Sequence, residues 1–210
     1  MDSLPSIVAR SIIISGSATL IATAWSIPLA YHASTHRRLT PLVYAFEALV
    51  GIPTVLVGLL LYALLSRQGP LGWLGLLYTP QAIVIGEALL ITPLLVAVSY
   101  RVLSEKSREL WELAATLGAT SSQAARLVLS ESLPGLTSSV IMGFSRAIGE
   151  LGVALIVGGN IAGLTRTMTT SIALYTSMGE YDKAITLGLI LLAITVTFSI
   201  LARAVRREWE

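Results

Sequence analysis

The segment RELWELAATLGATSSQAARLVL, residues 108–129, lies between two long apolar runs and is itself polar on one side. From Arg108 onward, Leu110, Leu113, Ala114 and Leu117 recur at spacings of three and four, while Arg108, Glu109 and Glu112 fall on the other side. That is the period of an amphipathic helix. Gly118 is a helix stop, Thr120 or Ser121 can cap a second helix, and residues 124–129 carry that helix toward the next apolar run. The spacing predicts two short helices with a glycine turn between them, a knob standing off the apolar body of the chain. The alternative is a plain solvated loop.

The flanking runs fix what that body is buried in. A bilayer core needs about 20 apolar residues in a helix, and five stretches meet this: 7–31, 42–65, 80–102, 136–157 and 184–204. The chain of 210 residues is 54% hydrophobic and only 12% charged, with a mean hydropathy of +0.78; an ordinary soluble domain is about 25% charged. No soluble fold of this size has interior enough for so much apolar side chain. The expectation is a single all-α integral membrane domain, residues 1–210, with five membrane helices and a cytoplasmic two-helix loop over 104–134. Pro28, Pro53 and Pro93 are compatible with helical spans, because neighbours in a membrane bundle satisfy the freed carbonyls. The first run is longer than a secretory signal core and reads as an uncleaved span.

Basic residues set the expected orientation. The first and third connectors and the C-terminal tail hold Arg37, Arg38, Lys106, Arg108, Arg126, Arg203, Arg206 and Arg207, against Arg10, Arg67, Arg166 and Lys183 in the N-terminal tail and the other two connectors. The bias places the N-terminus outside and the C-terminus and the polar loop in the cytoplasm. It also explains the net charge of +2 without nucleic acid. There are no cysteines, so disulfides and thiolate metal sites are excluded. His32 and His36 have the spacing of a metal pair but no evident third ligand, and Gly159 and Gly163 match a pattern that 17 glycines produce easily. No Ser/His/Asp constellation is present, so no enzyme site is read.

Charges inside the runs are costly, at least ~2.5–3.5 kcal/mol for a lone one at the centre, so they pair or face a cavity. Glu47 lies near the end of its run, where it reaches water, and Glu87 is deeper and faces protein. Arg146 and Glu150 are four apart on one helix face. They are either a structural pair locking helices together or the polar lining of a pathway or gate.

The run Glu112-Leu113-Ala114-Ala115-Thr116-Leu117-Gly118-Ala119 resembles the EAA loop of ABC-importer permeases, the cytoplasmic loop that docks into a groove on an ATPase subunit. Leu113 replaces the middle alanine of that pattern, and the usual later Leu-Pro falls on Ser130-Glu131, with the proline at Pro134. The stretches Val57-Gly58-Leu59-Leu60-Leu61-Tyr62, Ser66-Arg67-Gln68-Gly69-Pro70-Leu71-Gly72, Ser145-Arg146-Ala147-Ile148-Gly149-Glu150, Ile156-Val157-Gly158-Gly159-Asn160-Ile161 and Thr165-Arg166-Thr167-Met168-Thr169-Thr170 resemble the tungstate-type permeases of the molybdate, tungstate and sulfate group. The resemblance implies a type I importer permease that works as a homodimer. Its partners would be two copies of an ABC ATPase and an extracytoplasmic solute-binding protein. ATP and Mg would belong to the ATPase, since neither lysine, Lys106 or Lys183, follows a phosphate-binding glycine loop.

It further implies ATPase coupling through Glu112, Leu113, Ala114, Gly118, Ala119 and Thr120, and an oxyanion cargo, tungstate before molybdate, sulfate or phosphate. The outer connector 158–170 offers Asn160, Thr165, Arg166, Thr167, Thr169 and Thr170 as donors to such an anion. With Arg146 and Glu150, Asn160, Thr165 and Arg166 are the expected pathway residues, and Arg166 is alternatively a plain loop charge or a contact for the binding protein. The readings from other classes are a secondary transporter or channel, which has no use for the knob, and a non-transporting scaffold, which has no use for Arg146 and Glu150.

Overall fold

The computed structural model describes residues 3–207, apart from the side chains of Arg37, Lys106, Arg108, Glu109 and residues 202–207. The basic side chains of the orientation count at positions 37, 106, 108, 203, 206 and 207 therefore lie outside the described residues. Within them the chain is helical, without strands: α1 Leu4–Thr35, α2 Thr40–Leu49, α3 Thr54–Leu65, α4 Pro80–Thr116, α5 Ser121–Ile148, α6 Gly152–Gly158, α7 Met168–Ser177 and α8 Tyr181–Arg207. Four helices are long and apolar enough to cross a membrane, and a fifth crossing results if α2 and α3 count as one bent span.

The helices are built around α1 and α4. One stripe of α1 (Ile7, Ser11, Ile14, Ser15, Ala18, Thr19, Ala22, Ser26, Ala30 and Ala33) is buried. Its spacing of three and four follows the helix period, and its small side chains let backbones approach closely, which drives packing where lipid supplies no hydrophobic force. Ala18 and Ala22 meet Ala88, Ile91 and Leu95 of α4 and Ala147 of α5 in one core cluster. Polar atoms in this interior pair across helices: Trp25 Nε1 donates to Thr92 Oγ1 at 2.9 Å, and Ser99 and Ser139 hydroxyls bond at 3.0 Å.

The structure departs from the sequence expectation in four places. The second expected span is two helices, bent by 102° at residues 50–53. Pro28 and Pro93 do sit inside helices, but Pro53 lacks an N–H and closely follows Gly51, and together they end the helix. The fourth expected span ends at Ile148 and restarts at Gly152 as α6. The two helices of the polar loop are not separate elements. They are the distal ends of α4 and α5, 37 and 28 residues long; at 1.5 Å per residue α4 is about 55 Å, well beyond a ~30 Å hydrocarbon core. Lastly, the semi-polar stretch Thr165 to Tyr181, whose sequence predicts a short helix at the surface, contains α7, whose first turn (Met168, Thr169, Thr170 and Ser171) is buried. Its Met168 N–H donates to Ser11 Oγ of α1 at 2.8 Å.

Candidate functional site

The hairpin between α4 and α5 turns in four residues. Ala119 N–H donates to Ala114 C=O and Gly118 N–H to Ala115 C=O, both at 3.0 Å, with Gly118 at φ +76. This is the Schellman arrangement, in which a left-handed residue just past the helix end satisfies the last carbonyls. A Cβ on Gly118 would meet nothing within 4 Å, so the glycine is required for its backbone conformation, not for space. Thr120 then caps α5 through a capping box with Gln123: Thr120 N–H donates to Gln123 Oε1 at 2.8 Å. Both helix ends are thus closed by local bonds, and the turn is rigid.

Below the tip, Leu110, Trp111 and Leu129 pack on Ala30, Leu103, Val128 and Leu136, tying the hairpin to the end of α1. At the tip the apolar side chains stand exposed among the described residues: Leu113 is 52% and Leu117 78% exposed. They are four apart and share a face. Of the sequence-predicted coupling residues, Glu112, Leu113, Gly118 and Thr120 are exposed, Ala119 is half-buried and Ala114 is buried.

The two helix breaks meet inside the bundle. A Cβ on Gly152 would lie 2.6 Å from Thr54 Oγ1, and one on Gly58 would lie 3.3 Å from the Gly152 carbonyl. So α3 and α6 touch nearly backbone to backbone. Glu150 organises this junction and is buried at 3% exposure. Its Oε1 accepts from Gly152 N–H at 2.8 Å and from Val153 N–H at 3.3 Å. Its Oε2 accepts from Arg146 Nη1 at 2.7 Å. Both carboxylate oxygens are engaged, one closing the start of α6 and one holding the half-exposed guanidinium. The pair ties the end of α5 to the start of α6 and leaves the Arg146 side chain partly exposed. Glu47, expected to reach water, keeps a partly exposed side chain and lies 3.8 Å from the exposed Arg101 of α4.

The outer loop over 158–167 spends its donors on itself. Thr165 is fully buried; its hydroxyl donates to Gly158 C=O at 2.6 Å and accepts from Ile161 N–H at 2.9 Å. Thr167 and Thr170 form the capping box of α7, and Thr169 donates to the Glu150 carbonyl at 2.7 Å. These threonines, expected as anion donors, fasten the loop to the junction. Arg166 donates from Nε to Asn160 Oδ1 at 3.2 Å and from Nη2 to Asn160 C=O at 3.4 Å, and Arg10 Nη1 donates to the Arg166 carbonyl at 2.8 Å. Gly159 and Gly163 are left-handed loop residues, not a helix-packing pair.

Glu87, expected to face protein, does so at 2% exposure, beside Ser15 of α1. Sequence reasoning missed Tyr78, at φ +63, whose N–H donates to Val157 C=O at 2.8 Å and whose ring lies where a Cβ on Gly159 would fall, 2.7 Å away.

With this geometry in view, comparison with known proteins is direct. Over 204 residues the chain is 42% identical to the tungstate uptake system permease protein TupB of Peptoclostridium acidaminophilum, covering 96% of this chain and 90% of that protein. It is 36% identical over 200 residues to a probable anion ABC transporter permease protein of Haloferax volcanii, covering 92% of this chain and 86% of that one. The fold is similar to a chain of the inward-facing MetNI methionine ABC transporter, with a TM-score of 0.76 and 16% identity, over 99% of this chain and 96% of that one. It is therefore an all-helical ABC-permease fold, and the hairpin is the connection between α4 and α5, which pack against each other. Residues 9–210 match one family across almost the entire sequence, and the chain belongs to it: the binding-protein-dependent transport system inner membrane components.

Proposed function

We propose that this chain is the membrane subunit of an ATP-driven oxyanion importer, with tungstate as its preferred cargo. It works as a homodimer with two ATPase subunits and an external binding protein. The observation that carries this reading is the locally hydrogen-bonded hairpin whose apolar tip, Leu113 and Leu117 around left-handed Gly118, is exposed among the described residues. A soluble partner with an apolar groove completes it. The cargo is supported by the 42% identity to a tungstate permease over nearly the full length.

The mechanism follows from continuity. Closure of an ATP-loaded ATPase dimer moves the two tips together. Because α4 and α5 run unbroken from tip to bundle, the displacement passes as a lever motion rather than being lost in a loop. At its far end α5 terminates at Gly149, beside Glu150 and the contact of α6 with α3. Irregular backbone within a membrane protein is accepted only where it is buried in protein or lines a water-filled cavity, and two breaks in contact form an interface whose packing changes when α5 moves. The anion route runs beside this junction, with Arg146 as its exposed charge and Arg166 and Asn160 at the outer mouth. The hairpin faces the cytoplasm, and the loops 66–79 and 158–167 face outside. ATP and Mg remain on the ATPase.

The test is co-purification of an ATPase subunit with this chain and stimulation of its turnover by the oxyanion-loaded binding protein. Anion flux through the chain alone, with no ATPase, would place it among secondary transporters or channels instead.

A further inference from the structure

The end of α3 remote from the junction opens on a cleft that the transport mechanism does not use. Its volume is about 670 Å³, and its polar lining is Tyr62, Ser66, Arg67, Gln68 and Tyr78. Every one of these side chains carries an N–H or O–H donor and none is a carboxylate. Arg67 is also the sole charged residue between Glu47 and Glu87, so the local sequence offers its guanidinium no counter-charge.

The cleft is built, not incidental. The loop from Ser66 folds back so tightly that a Cβ on Gly69 would lie 2.1 Å from the Ala63 carbonyl, and one on Gly72 would lie 2.2 Å from the Ser66 carbonyl. Tyr78 stands in the left-handed region, which is unfavourable for a non-glycine residue and persists only where the surroundings enforce it. Here the Val157 carbonyl and the flat face left by Gly159 do so. Tyr62 and Tyr78 line the cleft together. The neighbouring Tyr62 hydroxyl, followed by burial, raises the Tyr78 phenol above its ordinary value, so it stays protonated and keeps a proton to donate.

We propose that this cleft binds a tetrahedral oxyanion group, held by the Arg67 guanidinium, the Gln68 amide and the Tyr62–Tyr78 hydroxyl pair. A charged fork beside neutral donors suits the several acceptor oxygens of such a group. Two sources can supply it. One is a free oxyanion from the water phase. The other is the phosphate of a phospholipid headgroup, since Trp73, 80% exposed, sits in the same loop and favours the membrane–water boundary. The site is separate from the α3–α6 junction and does not depend on which anion is transported.

The experiment uses the assembled, delipidated complex in maltoside detergent, titrated calorimetrically with sodium tungstate and with sodium sulfate. In parallel, phospholipid retained through mild purification is quantified by native mass spectrometry. Both are measured for wild type, Arg67→Gln and Tyr78→Phe; the phenylalanine keeps the ring on Gly159 and loses only the hydroxyl. A charge-assisted bond is worth enough that Arg67→Gln weakens anion binding about tenfold or more, and Tyr78→Phe a few-fold. If anion titrations are unchanged but bound phospholipid falls in Arg67→Gln, the headgroup is the occupant. Identical titrations and identical retained lipid in wild type and Arg67→Gln overturn the proposal.

Discussion

Leu117→Ala isolates the coupling contact, because its side chain serves nothing else. Full burial of a leucine is worth about 1.5–3 kcal/mol. Leu117 is 78% exposed, so about three quarters of that gain is still available to a docking partner, or about 1–2 kcal/mol per hairpin. This predicts a loss of about 5- to 30-fold in ATPase affinity at each hairpin. The fold is spared, since the Schellman turn is made by the backbone of residues 114–119. The assay is titration of labelled ATPase onto the permease in nanodiscs. Leu59→Ala is the control: Leu59 is 53% exposed but lies on α3, away from the hairpin. An unchanged affinity for Leu117→Ala, or an equal loss for Leu59→Ala, would show that the apolar tip is not the docking element.

Other outcomes follow from the same geometry. Gly118→Asp should leave the protein inserted and abolish binding-protein-stimulated ATP hydrolysis; Gly118→Asn, which tolerates φ > 0, should keep the turn, so full coupling in the aspartate variant would remove the turn from the mechanism. Glu150→Ala strips the cap from α6 and leaves Arg146 without its carboxylate, and should lower thermal stability in detergent by about 1–3 kcal/mol or more; Arg146→Ala, with a half-exposed side chain, should cost less, and the reverse order would contradict the lock. A membrane-impermeant thiol reagent should label Ser3→Cys in intact cells and miss Thr116→Cys at the exposed hairpin tip. Labelling of residue 116 alone would reverse the orientation.

What could be read from the sequence was what local chemistry decides. The Gly118 stop and the cap of α5 depend on a few neighbouring residues, so the stop was legible to the residue and the cap to one of two, Thr120 or Ser121. The length of α4 was not, because charge at Arg101 marks a membrane edge while the helix itself continues to Thr116; polarity reports the solvent, not the hydrogen-bond ladder. Proline was ambiguous for a related reason. Pro28, Pro93 and Pro134 lie within helices and Pro53 does not, and what differs is Gly51 two residues earlier and a tertiary contact with α6 that pattern cannot show. The break at Glu150 was hidden by apolar sequence on both sides. The outer threonines were misread because a hydroxyl that donates to a backbone carbonyl and one that donates to an anion look the same in sequence. Only coordinates show Thr165 turned toward Gly158.

The central claim is that this chain passes an oxyanion under ATP control, and uptake into proteoliposomes tests it most directly. The vesicles hold the chain with its ATPase, with ATP inside and the partner binding protein outside, and tungstate, molybdate, sulfate and phosphate are offered separately at equal concentration. The account predicts tungstate accumulation that requires ATP hydrolysis and the binding protein and exceeds that of the other three. Accumulation without the ATPase, or faster uptake of sulfate or phosphate than of tungstate, would contradict it.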